Sequence, residues 1–136
     1  MVNIFNLSID NPRFVKKFPN TDSHDQEHVL AYNQVDFRES AKSPGVFTAL
    51  IKKAANIAFG KLKFTPKSVK KKTRTGNYIS HFNVVYGTLL LKIENEKVGS
   101  IVKTGFYFHI GEKTNYTLTN LRNDEAMIDF TIIKGS

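Results

Sequence analysis

Two of the four histidines in this chain lie four positions apart, a spacing that suits a metal site. His24 and His28, in the sequence Ser-His-Asp-Gln-Glu-His, would share one face of a helix, as the ligands of a zinc-binding helix do. The segment lacks the H-E-x-x-H order, its composition is typical of a loop, and no third ligand is identifiable. We therefore predict a solvated loop here and no metal site.

The other two histidines lie in stretches of alternating hydrophobicity. His81 falls within residues 78–86, and His109 has the parity opposite to Phe108, so the alternation directs His109 outward. Neither histidine has an acidic residue placed to complete a catalytic triad. The chain also has no cysteine, which excludes thiol catalysis and thiolate metal sites. We predict no catalytic residue and no enzymatic activity.

A dense basic cluster offers a third kind of chemistry, contact with nucleic acid. The net charge is +8, and the cluster consists of Lys67, Lys70, Lys71, Lys72 and Arg74. No DNA-reading helix accompanies it, and aromatic residues do not alternate with its lysines. DNA binding that rests on phosphate contacts alone is weak, non-specific and steeply dependent on salt. A basic nucleic-acid-binding barrel is therefore an alternative interpretation only.

Short strands must position all of these residues. Residues 78–86 alternate with period two, Gly87 interrupts the pattern, and residues 89–93 resume it before a polar turn. Turns recur about every eight to twelve residues, which is typical of a small β-sandwich or barrel. With 136 residues, of which 40% are hydrophobic, the chain can bury a core without disulfides. No apolar run approaches the ~20 residues of a membrane helix, so we expect a soluble, intracellular protein without a membrane partner.

The second half of the chain resembles the cupins, a family of jelly-roll β-barrels. Gly105, Gly111, Tyr116 and Asn120 follow the spacing of the second conserved cupin motif, and Gly87 stands where the first motif ends. The resemblance implies an all-β, cupin-type jelly-roll barrel. Residues 1–42 would then be an N-terminal extension that packs on the barrel, with a strand at residues 2–9, and residues 43–136 would form the barrel itself.

The cupin motifs are degenerate at the positions that hold a metal ion. Tyr116 replaces the metal-binding histidine of the second motif, Ser80 replaces the glutamate of the first, and the H-x-H pair would fall at residues 73–75. Neutral hydroxyls do not hold a catalytic divalent ion. The resemblance therefore implies a barrel with no metal and no cofactor, although a sugar-binding or isomerase cupin stays open as an alternative.

Among cupins, the chain resembles the C-terminal domain of the centromere protein C family. The resemblance covers residues 56–133 and rests on the sequences Asn-Ile-Ala-Phe-Gly-Lys-Leu-Lys-Phe-Thr-Pro, Val-Val-Tyr-Gly and Gly-Phe-Tyr-Phe-His-Ile. It implies a nuclear domain, located at the centromere and kinetochore, that pairs two copies of a scaffold protein. It also implies docking of another centromeric chromatin or kinetochore protein, such as a factor that loads the centromeric histone.

Residues 43–59 allow two interpretations. Ser43 and Pro44 could begin a helix, because the apolar residues that follow have helical spacing. The resemblance instead implies strands at residues 46–51 and 56–64. We predict strands, with a β-bulge at Gly60, where the apolar parity shifts from Ile57 and Phe59 to the residues beyond.

Two of the predicted strands, residues 46–51 and 126–133, are apolar on both faces. This indicates that another surface covers their outer faces. We assign Phe47 and Leu50 to the contact between two copies, and Met127 and Ile133 to the same contact or to partner docking. An arginine at position 47 is expected to give a folded monomer, since the two-fold axis would bury the unpaired charge twice.

Overall fold

The computed structural model describes residues 29–135 of the chain. The strand predicted at residues 2–9 and the pair His24 and His28 lie outside the described residues, and the predicted extension is described only from residue 29. Within the described residues, no helix is long and apolar enough to cross a membrane.

Strands are the main regular secondary structure of the described residues, and helix is almost absent, which confirms the all-β prediction. One turn of 3-10 helix, Tyr32–Gln34, precedes ten strands. The strands are β1 Arg38–Glu39, β2 Val46–Lys53, β3 Ile57–Phe64, β4 Val69–Arg74, β5 Tyr78–Tyr86, β6 Thr88–Ile93, β7 Ser100–Lys103, β8 Tyr107–Ile110, β9 Asn115–Asn120 and β10 Ala126–Lys134.

Two antiparallel sheets pack face to face. The six-stranded sheet has the order β1-β2-β3-β10-β5-β8, and the four-stranded sheet has the order β4-β9-β6-β7. Alternate residues of each strand point into the space between the sheets, so that Phe64, Phe82, Leu89, Leu118 and Phe130 meet in one core. The other parity forms two outer faces, one for each sheet.

Residues 43–59 contain strands and no helix, as the resemblance implied. The bulge, however, is not in β3 at Gly60 but in β2, where the register shifts between Leu50 and Lys52. A side chain at Gly60 would bring its Cβ to 2.0 Å from the Ala49 carbonyl oxygen and 2.8 Å from Cζ of Phe130. Glycine is needed here because β2 and the Phe130 ring approach closely, and β3 stays regular.

The regular β3 strand changes which apolar residues reach the surface. Ala58, Gly60, Leu62 and Phe64 are its buried positions, so Ile57 and Phe59 point outward and stay exposed. The predicted shift of parity across Gly60 is therefore wrong. Without a bulge at Gly60, Ile57 and Phe59 lie on the face opposite to Leu62 and Phe64.

Gly87 ends β5 in a conformation that glycine adopts most readily. Its φ is +110°, and a Cβ there would lie 2.4 Å from Cβ of Ala126, the first residue of β10. The motif glycine thus permits the close approach of β5 and β10 at the centre of the six-stranded sheet.

Candidate functional site

The space between the sheets contains the residues that replace the cupin metal ligands. Tyr116 on β9 is buried and pairs in register with Thr73 on β4, while Ser80 on β5 points inward from the opposite sheet. Burial raises the pKa of the Tyr116 hydroxyl well above its ordinary value, with a smaller contribution from Tyr78. At neutral pH these groups are uncharged hydrogen-bonding groups.

Lys70 brings a half-buried cation to the same place. The residue is paired with the fully buried Leu118, its Nζ donates a hydrogen bond to Oγ1 of Thr73 at 2.7 Å, and Nζ lies 5.1 Å from the centre of the Tyr116 ring. Burial, and secondarily the charge of Lys42, lowers the pKa of the Lys70 amine to about 8. The lumen thus presents an amine next to Thr73 and Tyr116, two of the residues at the degenerate motif positions.

The inward orientation of Lys70 corrects its assignment to DNA contact. Its amine contacts Thr73 and the Tyr116 ring inside the barrel and is not part of an outer basic surface. No local pattern indicates this orientation, because β4 has lysines on both parities and a register shift separates Lys70 from Thr73 in its pairing with β9.

Lys70→Met is expected to stabilise the protein below pH 8. Because the pKa of this lysine is lowered in the folded state, the charged amine destabilises the folded protein by up to about 3 kcal/mol below pH 8. The folded protein loses this proton at a lower pH than the unfolded chain does. The free energy of unfolding of the wild type therefore rises by the same amount between about pH 8 and 10.5. Thr73 keeps a hydrogen bond to the Lys71 carbonyl at 2.8 Å in the variant. The measurement is the free energy of unfolding in urea for both proteins from pH 6 to 11.

The exposed Lys92 supplies the control for this comparison. Lys92→Met should stay within roughly 0.5 kcal/mol of the wild type at every pH. A stability gain of Lys70→Met that did not shrink between pH 8 and 10.5 would contradict a buried charged amine.

Thr75 and Asn120, at two of the motif positions, connect separate segments of the chain through side-chain hydrogen bonds. The hydroxyl of Thr75 donates to the Gly111 carbonyl at 2.6 Å and accepts from the amide of Thr114 at 2.9 Å. The side chain of Asn120, which is fully buried, donates to the carbonyls of Thr65 and Asp124 at 3.1 and 2.8 Å. Asn120 thereby joins the loops that follow β3 and β9.

Within residues 29–135, no three histidine or acidic side chains come close enough together to hold a metal ion. The arrangement in the lumen can donate hydrogen bonds and present one amine. The residues that replace the metal ligands, Thr73, Thr75, Ser80 and Tyr116, include no carboxylate.

The remaining members of the basic cluster do not form one uniform surface. Lys67 donates through Nζ to the Leu121 carbonyl at 2.8 Å, and Nζ of Lys72 lies 3.9 Å from a carboxylate oxygen of Glu94. Lys71 and Arg74 are exposed on β4. The DNA assignment of these four residues stays a prediction.

The outer face of the six-stranded sheet carries an exposed apolar patch. Cross-strand register aligns Ile57, Ile133 and Ile79 in one row and places Phe59 beside Thr131 in the next. Phe59 and Ile133 are 39% and 43% exposed. We call Ile57, Phe59, Ile79 and Ile133 the isoleucine patch.

An aromatic cluster, which consists of His81 on β5 and Tyr107 and His109 on β8, borders the isoleucine patch. Nδ1 of His81 lies 2.6 Å from the Tyr107 hydroxyl, and the ring centres of His81 and His109 are 6.1 Å apart. His109 is exposed on the outer face, as its parity predicted. None of these contacts involves a carboxylate, so the cluster is not a catalytic triad.

The structure corrects two of the four residues assigned to the outer contact. Leu50 is 1% exposed and belongs to the core, because residues three apart in a strand point to opposite faces and Phe47 points outward. Met127 is 2% exposed, although it has outward parity, and it pairs with Lys63 and Tyr86. Phe47, which is half-buried beneath the amine of Lys63, and Ile133 remain on the outer face.

Comparison with known proteins places this geometry in a family. The family model described as Mif2/CENP-C like matches residues 46–132, which is most of the two-sheet domain. The chain belongs to this Mif2/CENP-C-like family. It is also 36% identical over 75 residues to human centromere protein C, a match that covers 55% of this chain and 8% of that protein. The chain thus spans a small part of this curated relative.

Solved structures confirm that the fold of this family member is a cupin. The Drosophila melanogaster CENP-C cupin domain has a TM-score of 0.66 and 19% identity, covering 84% of this chain and 85% of that chain. The Schizosaccharomyces pombe Cnp3 cupin domain has a TM-score of 0.68 and 13% identity, covering 78% and 73%. A second Drosophila CENP-C structure, bound to CAL1, has a TM-score of 0.61 and 16% identity, covering 82% and 88%. The predicted resemblance to a centromere protein family is confirmed.

Proposed function

We propose that this domain is a metal-free cupin that pairs two copies of a centromere scaffold protein in the nucleus and docks another centromere protein. The observation that carries the pairing is the isoleucine patch. Large apolar side chains on three adjacent strands face solvent in one continuous area, and burying them against a second surface is favourable.

A second copy of the chain is a suitable occupant for the isoleucine patch. The patch is uncharged, and a two-fold axis through it would place the same apolar residues of both copies against each other. The Lys61–Asp129 ion pair, at 2.7 Å, lies one row beyond Phe59 and would form a polar margin of the contact. Phe47 lies further along the same outer face, so the contact would be centred on the isoleucine patch with Phe47 towards its edge.

Docking of another protein is supported by the relative solved in complex with CAL1. For this chain we propose a partner of the same general kind, a protein of centromeric chromatin or the kinetochore. A role in binding is supported by the hydroxyl groups of Thr73, Ser80 and Tyr116, which stand where a metal-dependent cupin needs charged or imidazole ligands.

The mass of the protein in solution tests the pairing. Light scattering coupled to gel filtration is expected to give twice the 15.4 kDa of one chain at micromolar protein concentration. A mass of one chain at all concentrations up to ~100 μM, where weak specific contacts are already populated, would refute it.

Elemental analysis tests the absence of a metal. Protein purified without chelators is expected to contain far less than one transition-metal ion per chain, because hydroxyl groups occupy the ligand positions of the lumen. One zinc, iron, manganese or nickel ion per chain, retained after dialysis, would contradict a metal-free barrel and reopen the enzyme alternative.

A further inference from the structure

The outer face of the four-stranded sheet carries a second apolar feature, on the opposite side of the molecule from the isoleucine patch. Val69 pairs in register with Thr119, Thr119 with Leu90, and Leu90 with Ile101. These four residues form one line across β4, β9, β6 and β7, which we call the apolar row. At ~4.8 Å between strands, the row is about 14 Å long.

The apolar row is not needed for the core of the domain. The inward residues of the same strands, Leu89, Leu91, Val102 and Leu118, fill the space between the sheets. Ile101 is 45% exposed and Val69 is exposed to a similar extent, while Val98 beside β7 is 78% exposed. The row and Val98 therefore add apolar surface that the folded domain leaves in contact with water.

Lysines flank the apolar row on both sides. Two residues along the strands in one direction, on the same face, lies the pair Thr88 and Lys103. Two residues in the other direction lies the pair Lys92 and Thr117. Lys92 and Lys103 are exposed, and among the described residues neither forms an ion pair with a carboxylate. The face thus combines an apolar centre with a positively charged margin.

We propose that the apolar row docks a short amphipathic helix of a partner protein, with apolar residues on one side and acidic residues at its edges. A helix lying across the strands presents side chains one turn apart at 5.4 Å intervals, close to the ~4.8 Å between strands. About ten helical residues would span the row. The acidic edges of the helix would meet Lys92 and Lys103.

The apolar row distinguishes this partner from DNA. Contacts to phosphate need lysine and arginine but gain nothing from exposed valine and isoleucine and a half-buried leucine at the centre of the site. This inference deepens the proposed function, since it assigns the docking of another protein to the four-stranded sheet and leaves the pairing of two copies to the six-stranded sheet.

The test uses the full chain and a fluorescein-labelled helical peptide of about 15 residues, with leucines at helical spacing and glutamates elsewhere. Controls are a peptide of the same composition whose leucines are shuffled out of that spacing, and a short DNA duplex. Binding is measured by fluorescence anisotropy, and the site is mapped by amide chemical shifts. The two protein variants are Ile101→Glu and Ile133→Glu, which change isoleucines of similar exposure, 45% and 43%, on opposite faces.

We expect the periodic peptide to bind at least tenfold more tightly than the shuffled peptide and to shift the amides of Leu90, Ile101 and Thr119. Ile101→Glu should weaken binding at least tenfold without changing the mass in solution, whereas Ile133→Glu should leave peptide binding unchanged. Equal binding by Ile101→Glu, shifts confined to the six-stranded sheet, or tighter binding of the DNA duplex at the same amides would overturn the inference. If the wild type were monomeric but still bound the peptide, the proposed pairing would be refuted and the docking inference would stand.

Discussion

Phe59→Glu is expected to convert the proposed dimer into a folded monomer, with at least a hundredfold weaker association. The change removes an exposed aromatic ring from the isoleucine patch and, under two-fold symmetry, places two carboxylates in the contact. Charging such a contact costs several kcal/mol because each carboxylate loses water and faces the carboxylate of the other copy across the axis. A hundredfold loss corresponds to about 3 kcal/mol. Light scattering over a range of concentrations measures the effect directly.

Ile101→Glu provides the matched control, since it adds the same charge at a similarly exposed position on the other sheet. It should keep the mass of two chains. Circular dichroism of Phe59→Glu should match the wild type, because position 59 faces solvent and alternates with the buried positions of β3. If Phe59→Glu remained dimeric, the isoleucine patch would not be the contact, and Phe47→Arg would then test the other end of the same face.

Gly60→Ala is expected to destabilise the domain by about 3 kcal/mol or more, despite adding only one methyl group. The new Cβ would lie 2.0 Å from the Ala49 carbonyl oxygen and 2.8 Å from the Phe130 ring. Relief would require β2 or Phe130 to move, and both belong to the centre of the six-stranded sheet. Urea unfolding should show the loss, together with a decrease in Tm of roughly 10 °C.

Gly111→Ala serves as the control for the glycine substitution. No atom beyond the adjacent residues lies within 4 Å of a Cβ at position 111, so its stability should stay within roughly 1 kcal/mol of the wild type. Equal stability of Gly60→Ala and the wild type would show that β2 and β3 do not approach each other as closely as described.

The sequence alone was sufficient to predict the fold class and the family. Residues 78–93 alternate with period two around Gly87, and this local pattern gives strands and a turn in any context where one face is buried. The spacing of Gly105, Gly111, Tyr116 and Asn120 is also a local property, and it identified the cupin motif and the replacement of its metal ligand. Such local patterns predict the folded structure correctly because turns and strand parity depend on residues that are neighbours in the chain.

The tertiary structure decided which apolar residues are exposed and which lysine points into the lumen. Alternation separates the two faces of a strand but does not say which face is covered, so the assignment of Leu50 to the outer contact was wrong. The position of the bulge, in β2 and not in β3, depends on the approach of Gly60 to Ala49 across the sheet, and it leaves Ile57 and Phe59 pointing outward. Lys70 likewise reaches the lumen through its pairing with β9. These outcomes depend on contacts between residues far apart in sequence, which no window along the chain contains.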